Sequence, residues 1–215
     1  MRSTNIVSAI LRVIVAAIAI VTVVNLLHAS GPKGLLTFTV QSNSMMAVSF
    51  LWTAHTLVWR KHTPPEWLSG SSVFYLAITG IVYNVVLGPE IPGSSPAVIL
   101  GLSNSTLEHV VTPIAAMAIW IVFDEHRRIP WKYVWIWLIY LVAYLVLVFS
   151  AIALIDSYSA PYPFLDIGIH GVGGVALRIA GYMSAFAVLS AAMIWLDHAL
   201  PERTPLSEYD PHDQG

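Results

Sequence analysis

Apolar runs of about twenty residues constrain this chain more than any other feature, because a run of that length, wound into a helix, matches the hydrocarbon thickness of a bilayer. Six such runs lie at about 6–27, 35–59, 71–87, 98–123, 131–155 and 171–196. The connections are short and carry breakers: Gly31-Pro32, Pro64-Pro65, Pro89 to Pro96, Pro130, and Pro161 with Pro163. Only 10% of the 215 residues are charged and 57% are hydrophobic, where a soluble domain carries about 25% charged residues. The expected fold class is an all-α integral membrane protein, a six-transmembrane-helix bundle over about residues 1–200. The acidic, proline-containing tail 201–215 is expected to be disordered.

The charges are few and placed in short blocks, with no basic patch, which excludes a nucleic-acid partner. Absence of cysteine removes disulfides, thiolate metal sites and a Cys nucleophile. Any catalysis must therefore use Ser, Thr, His or carboxylates. With the N terminus inside, Arg2, Arg60, Lys61, Arg127, Arg128, Lys132 and Arg203 are all cytoplasmic and Lys33 alone is outside. Both termini are then cytoplasmic, and Trp59, Trp67, Trp120, Trp131 and Trp195 gather at the cytoplasmic interface. Arg12, close to that face, is expected to snorkel. A signal peptide cleaved near Leu27-His28-Ala29 is the competing reading of the first run, but the run is longer than the roughly 7–15 residues of a signal h-region.

Two polar islands interrupt the apolar runs. One is Leu36-Thr37-Phe38-Thr39-Val40-Gln41-Ser42-Asn43 and the other Ser103-Asn104-Ser105-Thr106-Leu107-Glu108-His109. At about 1.5 Å per residue, Thr39 lies roughly 30 Å above Trp59 and His109 roughly 21 Å above Phe123, so both fall in the outer half. Thr39, Asn43, Met46, Ser49 or Phe50, and Thr53 form a polar stripe at helical spacing. Such hydroxyls often only bond the carbonyl one turn back or join helices. Ser105, His109 and Thr112 share a face with Glu108 beside it, and a histidine at that depth serves as base, proton relay, metal ligand or structural hydrogen-bonding group. Arg178, among small residues of the last run, needs an anionic partner, either Glu108 or a substrate carboxylate. No HExxH motif or carboxylate-rich helix pair is present, and a haem between His109 and His28 or His170 is the one remaining pattern, so no metal or cofactor is expected.

Phe38-Thr39-x-x-Ser42-Asn43, His109-Val110-Val111-x-Pro113, Tyr140-x-x-Ala143-Tyr144 and Pro161-Tyr162-Pro163-Phe164-Leu165-Asp166 occur in this order. Together they resemble a bacterial family of six-helix membrane proteins related to the eukaryotic androgen-induced and androgen-dependent membrane proteins. The similarity runs from about Ile6 to Leu200, with the Pro161–Asp166 stretch its most distinctive part. Leu141 and Leu147 stand where the bacterial pattern has proline and tyrosine. The eukaryotic relatives are intramembrane threonine hydrolases of fatty acid esters of hydroxy fatty acids, which implies a membrane lipid or fatty acid ester as substrate. The resemblance implies Thr39 as nucleophile and His109 as base, with Thr37 the alternative nucleophile because Leu36-Thr37-Phe38 also matches the eukaryotic pattern. Asn43, Ser42 and Ser105 are then the candidate oxyanion donors, and Glu108 and Arg178 the candidate substrate-binding charges. The rival reading is a non-catalytic membrane protein that binds lipid or transports a small solute.

Overall fold

A computed structural model describes residues 3–59, 64–88 and 96–202. Among the described residues the chain forms six long helices. Helix α1 (Ser3–Ser30) runs into a 3-10 turn (Gly31–Leu36) and is followed by α2 (Phe38–Trp59). Helix α3 (Glu66–Ile81) continues into a π-helical stretch (Val82–Leu87). Helix α4 (Asn104–Phe123) has a π segment (Leu107–Val111) inside it, and α5 (Tyr133–Leu154) and α6 (Ile167–Ala199) complete the set.

Five of these, with their helical extensions, are long and apolar enough to cross a membrane: α1, α3, α4, α5 and α6. This is consistent with an integral membrane protein. Their outward faces are lined with large apolar side chains such as Ile139, Leu177 and Val188. Helix α2 is absent from that group, and its polar side chains explain why. Ser42, Asn43, Ser49 and Thr56 are buried rather than turned outward. Its polar side packs against α1 and α3, while Val48, Leu51, Trp52 and Val58 are turned outward.

The expected starts of several segments move; α2 begins at Phe38 rather than 35 and α3 at Glu66 rather than 71. The fourth run does not begin as helix at residue 98, because β1 (Ala97–Ile99) pairs antiparallel with β2 (Leu102–Ser103). Leu100 and Gly101 between them both have positive φ, 51° and 79°, as a tight two-residue hairpin turn demands. Ser103 then caps α4 by accepting the Thr106 N–H at 3.2 Å. The sixth run begins earlier, at Ile167, where the Asp166 carboxylate accepts the Gly168 N–H at 2.8 Å. Gly171 breaks that helix with φ 64°.

At the far end of α4 a polar cluster ties the bundle together. Arg12 does not snorkel; it is 2% exposed, pairs with Asp124 and sits over the Phe50 ring at 4.9 Å. Asp197 and His126 are also buried, and His126 Nδ1 lies 3.2 Å from Asp197 Oδ1. The other Asp197 oxygen accepts the Arg128 and Ile129 N–H groups at 3.1 Å each, closing the turn between α4 and α5 onto α6. Trp120, expected at the interface, is instead buried with its ring edge-on to His126. Arg2, Arg60, Lys61 and Arg203, on which the orientation partly rests, lie outside the described residues, as does the tail from residue 203.

Candidate active site

Thr39 and His109 come together. Thr39 Oγ1 lies 3.2 Å from His109 Nε2, within hydrogen-bonding range. Both line one cavity, whose empty space, mouth included, is ≈ 660 Å³. Its walls are almost wholly apolar and aromatic, drawn from the start of α2, the ends of α3 and α4, the middle of α5, the Pro161–Leu165 loop and α6.

Local chain chemistry explains why each group sits where it does. Thr37, extended at φ −87° and ψ 139°, immediately precedes α2. Its hydroxyl donates to the Gly34 carbonyl at 2.8 Å and accepts the Val40 N–H at 3.4 Å. It is thus the helix cap. Thr39 is two residues further on, in the first turn, and its side chain is the one that faces the imidazole.

Pro113 organises the other partner. It has no N–H to give the His109 carbonyl one turn back, and the Thr112 N–H goes to Leu107 rather than to Glu108. Two carbonyls are therefore released from the normal ladder, and neighbouring helices satisfy them. Asn84 Nδ2 donates to the His109 carbonyl at 3.2 Å, and Asn43 Nδ2 donates to that of Glu108 at 3.4 Å. A π segment at a functional position is a recurrent arrangement. Gly80 permits the close approach of α3, since a Cβ there would stand 3.1 Å from both the His109 carbonyl and Pro113 Cβ.

The imidazole itself is held on two sides. Its Nδ1 lies 3.0 Å from the Ser105 carbonyl, an acceptor only, so the hydrogen belongs on Nδ1 and the lone pair on Nε2 faces Thr39. The ring is stacked on Tyr83 with centroids 3.9 Å apart. Glu108 Oε1 is 3.8 Å from Nδ1, too far for a hydrogen bond. It stands beside the ring, held by Asn104 Nδ2 at 3.1 Å.

Of the remaining sequence candidates, Asn43, Ser42, Ser105 and Glu108 stand behind this pair rather than in the cavity, and Arg178 is on the exposed side of α6. Asn43 is fully buried and donates to the Thr39 carbonyl at 3.0 Å while accepting from Thr112 at 2.8 Å. Ser42 bonds Thr79 at 2.7 Å. Ser105 Oγ donates to the Tyr83 hydroxyl at 2.8 Å. The expected Arg178–Glu108 pairing is not formed. Arg178 is exposed and donates to the Gly174 carbonyl of its own helix at 3.1 Å, whereas Glu108 is buried and linked through Asn104 to the Thr22 carbonyl of α1.

Sequence reasoning gave no role to Tyr83, Asn84 or Tyr162. Tyr162 belongs to the Pro161–Asp166 stretch that most strongly carries the resemblance, a signal that pointed to it without saying what it touches. Its hydroxyl accepts the Phe38 N–H at 3.0 Å. Among the described residues no three metal-binding side chains gather. Compared with protein families, characterised proteins and solved structures, the chain matches none.

Proposed function

We propose that this protein is an intramembrane lipid ester hydrolase in which Thr39 is the nucleophile and His109 the general base. The observation that carries the reading is the 3.2 Å approach of Thr39 Oγ1 to the unprotonated nitrogen of His109 at the wall of an apolar cavity. Thr39 gives its proton to Nε2 as Oγ attacks the ester carbonyl carbon. Collapse of the tetrahedral species breaks the C–O bond, and the departing alkoxide takes the proton back from Nε2. Water, deprotonated by the same nitrogen, then attacks the acyl-threonine and releases the carboxylic acid. Glu108, 3.8 Å from Nδ1, favours the imidazolium formed on the way.

Six helices span a cytoplasmic membrane in this reading, with both termini cytoplasmic. The cavity end, which carries Lys33, is in the outer half, and the end with Arg127, Arg128 and Lys132 is inside. Fatty acid esters of hydroxy fatty acids are the substrates the family resemblance implies. No lysine or arginine lines the cavity among the described residues, so acyl chain occupies it and a substrate carboxylate stays at its mouth. A transport pathway is disfavoured because Thr53 and Thr56, further along α2, donate to their own helix carbonyls at 2.9 and 3.0 Å rather than lining a polar route.

Incubation of the full chain with a long-chain alkyl fluorophosphonate, followed by peptide mass spectrometry, tests the reading. Thr39 attacks phosphorus and fluoride leaves, so one phosphonyl group is expected on Thr39 and none in His109→Ala. An adduct elsewhere, or none, overturns it.

A further inference from the structure

We propose that Tyr162 is the oxyanion donor of the Thr39 reaction, an inference that rests on the hydrolase reading. The Tyr162 hydroxyl accepts the Phe38 N–H at 3.0 Å and stands near the Thr39 N–H, the Thr39 hydroxyl and the Tyr144 hydroxyl. Those two amides are available because α2 begins at Phe38, and the first N–H groups of a helix have no carbonyl behind them. A phenol oxygen has two acceptor positions and one proton. With the Phe38 amide donating to it, the proton is directed away from α2's backbone, toward the side of Thr39 and Tyr144. Tyr144 gives its own proton to the Leu36 carbonyl at 3.0 Å, so it competes with the substrate only as an acceptor.

Tyr162 lines the same cavity as Thr39 and His109, and its ring is stacked on Phe164 with planes 2° apart. Flanking Pro161 and Pro163 further restrict the loop. When Thr39 Oγ bonds to the ester carbon, the carbonyl π pair moves onto the carbonyl oxygen, one bond removed from that carbon. A donor held on the Phe38 amide, one residue from Thr39 and in the same cavity, then meets the new charge by a rotation of its O–H. Burial pushes the Tyr162 phenol above the ordinary tyrosine range, so it stays protonated and able to donate. The sequence-based donor candidates are otherwise engaged: Asn43 donates to the Thr39 carbonyl and Ser105 to Tyr83.

The test is steady-state hydrolysis of a matched long-chain ester and thionoester by the full chain in detergent, wild type beside Tyr162→Phe. Sulfur accepts hydrogen bonds poorly, so an oxyanion donor accelerates the ester much more than the thionoester. Tyr162→Phe is expected to lower kcat on the ester by about 10²–10³, with KM little changed and the ester-to-thionoester ratio collapsing. A folded Tyr162→Phe that keeps its ester rate overturns the inference, and so does an equal loss on both substrates, which a purely structural role would give. If Tyr162→Phe does not fold, 3-fluorotyrosine at 162 keeps the hydroxyl with a more acidic proton. The ester-to-thionoester ratio should then rise, and an unchanged ratio overturns the inference. Wild type inactive on the ester and unlabelled by the fluorophosphonate brings down the hydrolase reading itself, an outcome distinct from an active wild type with an indifferent Tyr162.

Discussion

The imidazole of His109 lies flat on the Tyr83 ring, with centroids 3.9 Å apart and planes 7° from parallel. Ser105 links the two, its hydroxyl donating to the Tyr83 hydroxyl at 2.8 Å while its carbonyl faces His109 Nδ1 at 3.0 Å. The ring is thereby fixed in plane and in tautomer. Tyr83→Leu leaves the dyad chemically intact but frees the ring to tilt, and a misplacement of about 1 Å can cost 10²-fold. We expect kcat/KM to fall at least about tenfold, with little change in melting temperature, in a side-by-side kinetic and thermal measurement.

Gly80 sits where α3 touches the backbone that carries His109. Alanine is better than glycine in a helix interior by about 1 kcal/mol. Here its Cβ would meet the His109 carbonyl and Pro113 Cβ at 3.1 Å, so α4 must shift by some tenths of an ångström. Gly80→Ala should therefore lower turnover by about tenfold while leaving helicity by circular dichroism intact.

Asn43 gives a contrasting case. Its amide joins the Thr39 carbonyl, the Glu108 carbonyl and the Thr112 hydroxyl, and each buried polar group left without its partner costs about 1–3 kcal/mol. Asn43→Ala should lose stability first, seen as a marked fall in melting temperature. Its folded fraction should keep far more activity than Thr39→Ala.

These three positions also show what a sequence can convey. The apolar runs and the helical spacing of Thr39 with Asn43 were legible, because periodicity is a local property of the chain. So was the isolation of His109 in an apolar segment. The direction in which Arg178 points was not, since one turn of packing decides whether a side chain faces a partner or the outside. Likewise, Tyr162 is 124 residues from the Phe38 N–H that it accepts, and only the folding of the Pro161–Leu165 loop onto α2 brings them together. Helix α2 illustrates the converse: its polar stripe makes it read as a weak membrane segment because that side packs against α1 and α3.

At the opposite end of α4, Asp197 holds His126 and two backbone N–H groups in an almost fully buried cluster. Removing one side of a buried pair typically costs about 3–5 kcal/mol. Asp197→Ala should destabilise the protein by that order in reversible denaturation, with the loss visible well before any change in the specific activity of the folded fraction.

The most direct test of the central claim is turnover of a branched fatty acid ester of a hydroxy fatty acid by the purified chain, with Thr39→Ala, Thr37→Ala and His109→Ala measured in parallel. Because Thr39 faces His109 and Thr37 caps α2, turnover should vanish in Thr39→Ala and His109→Ala and persist in folded Thr37→Ala. Loss in Thr37→Ala with activity retained in Thr39→Ala would contradict the assignment of the nucleophile, and a well-folded wild type inert toward a panel of lipid esters would contradict the hydrolase account as a whole.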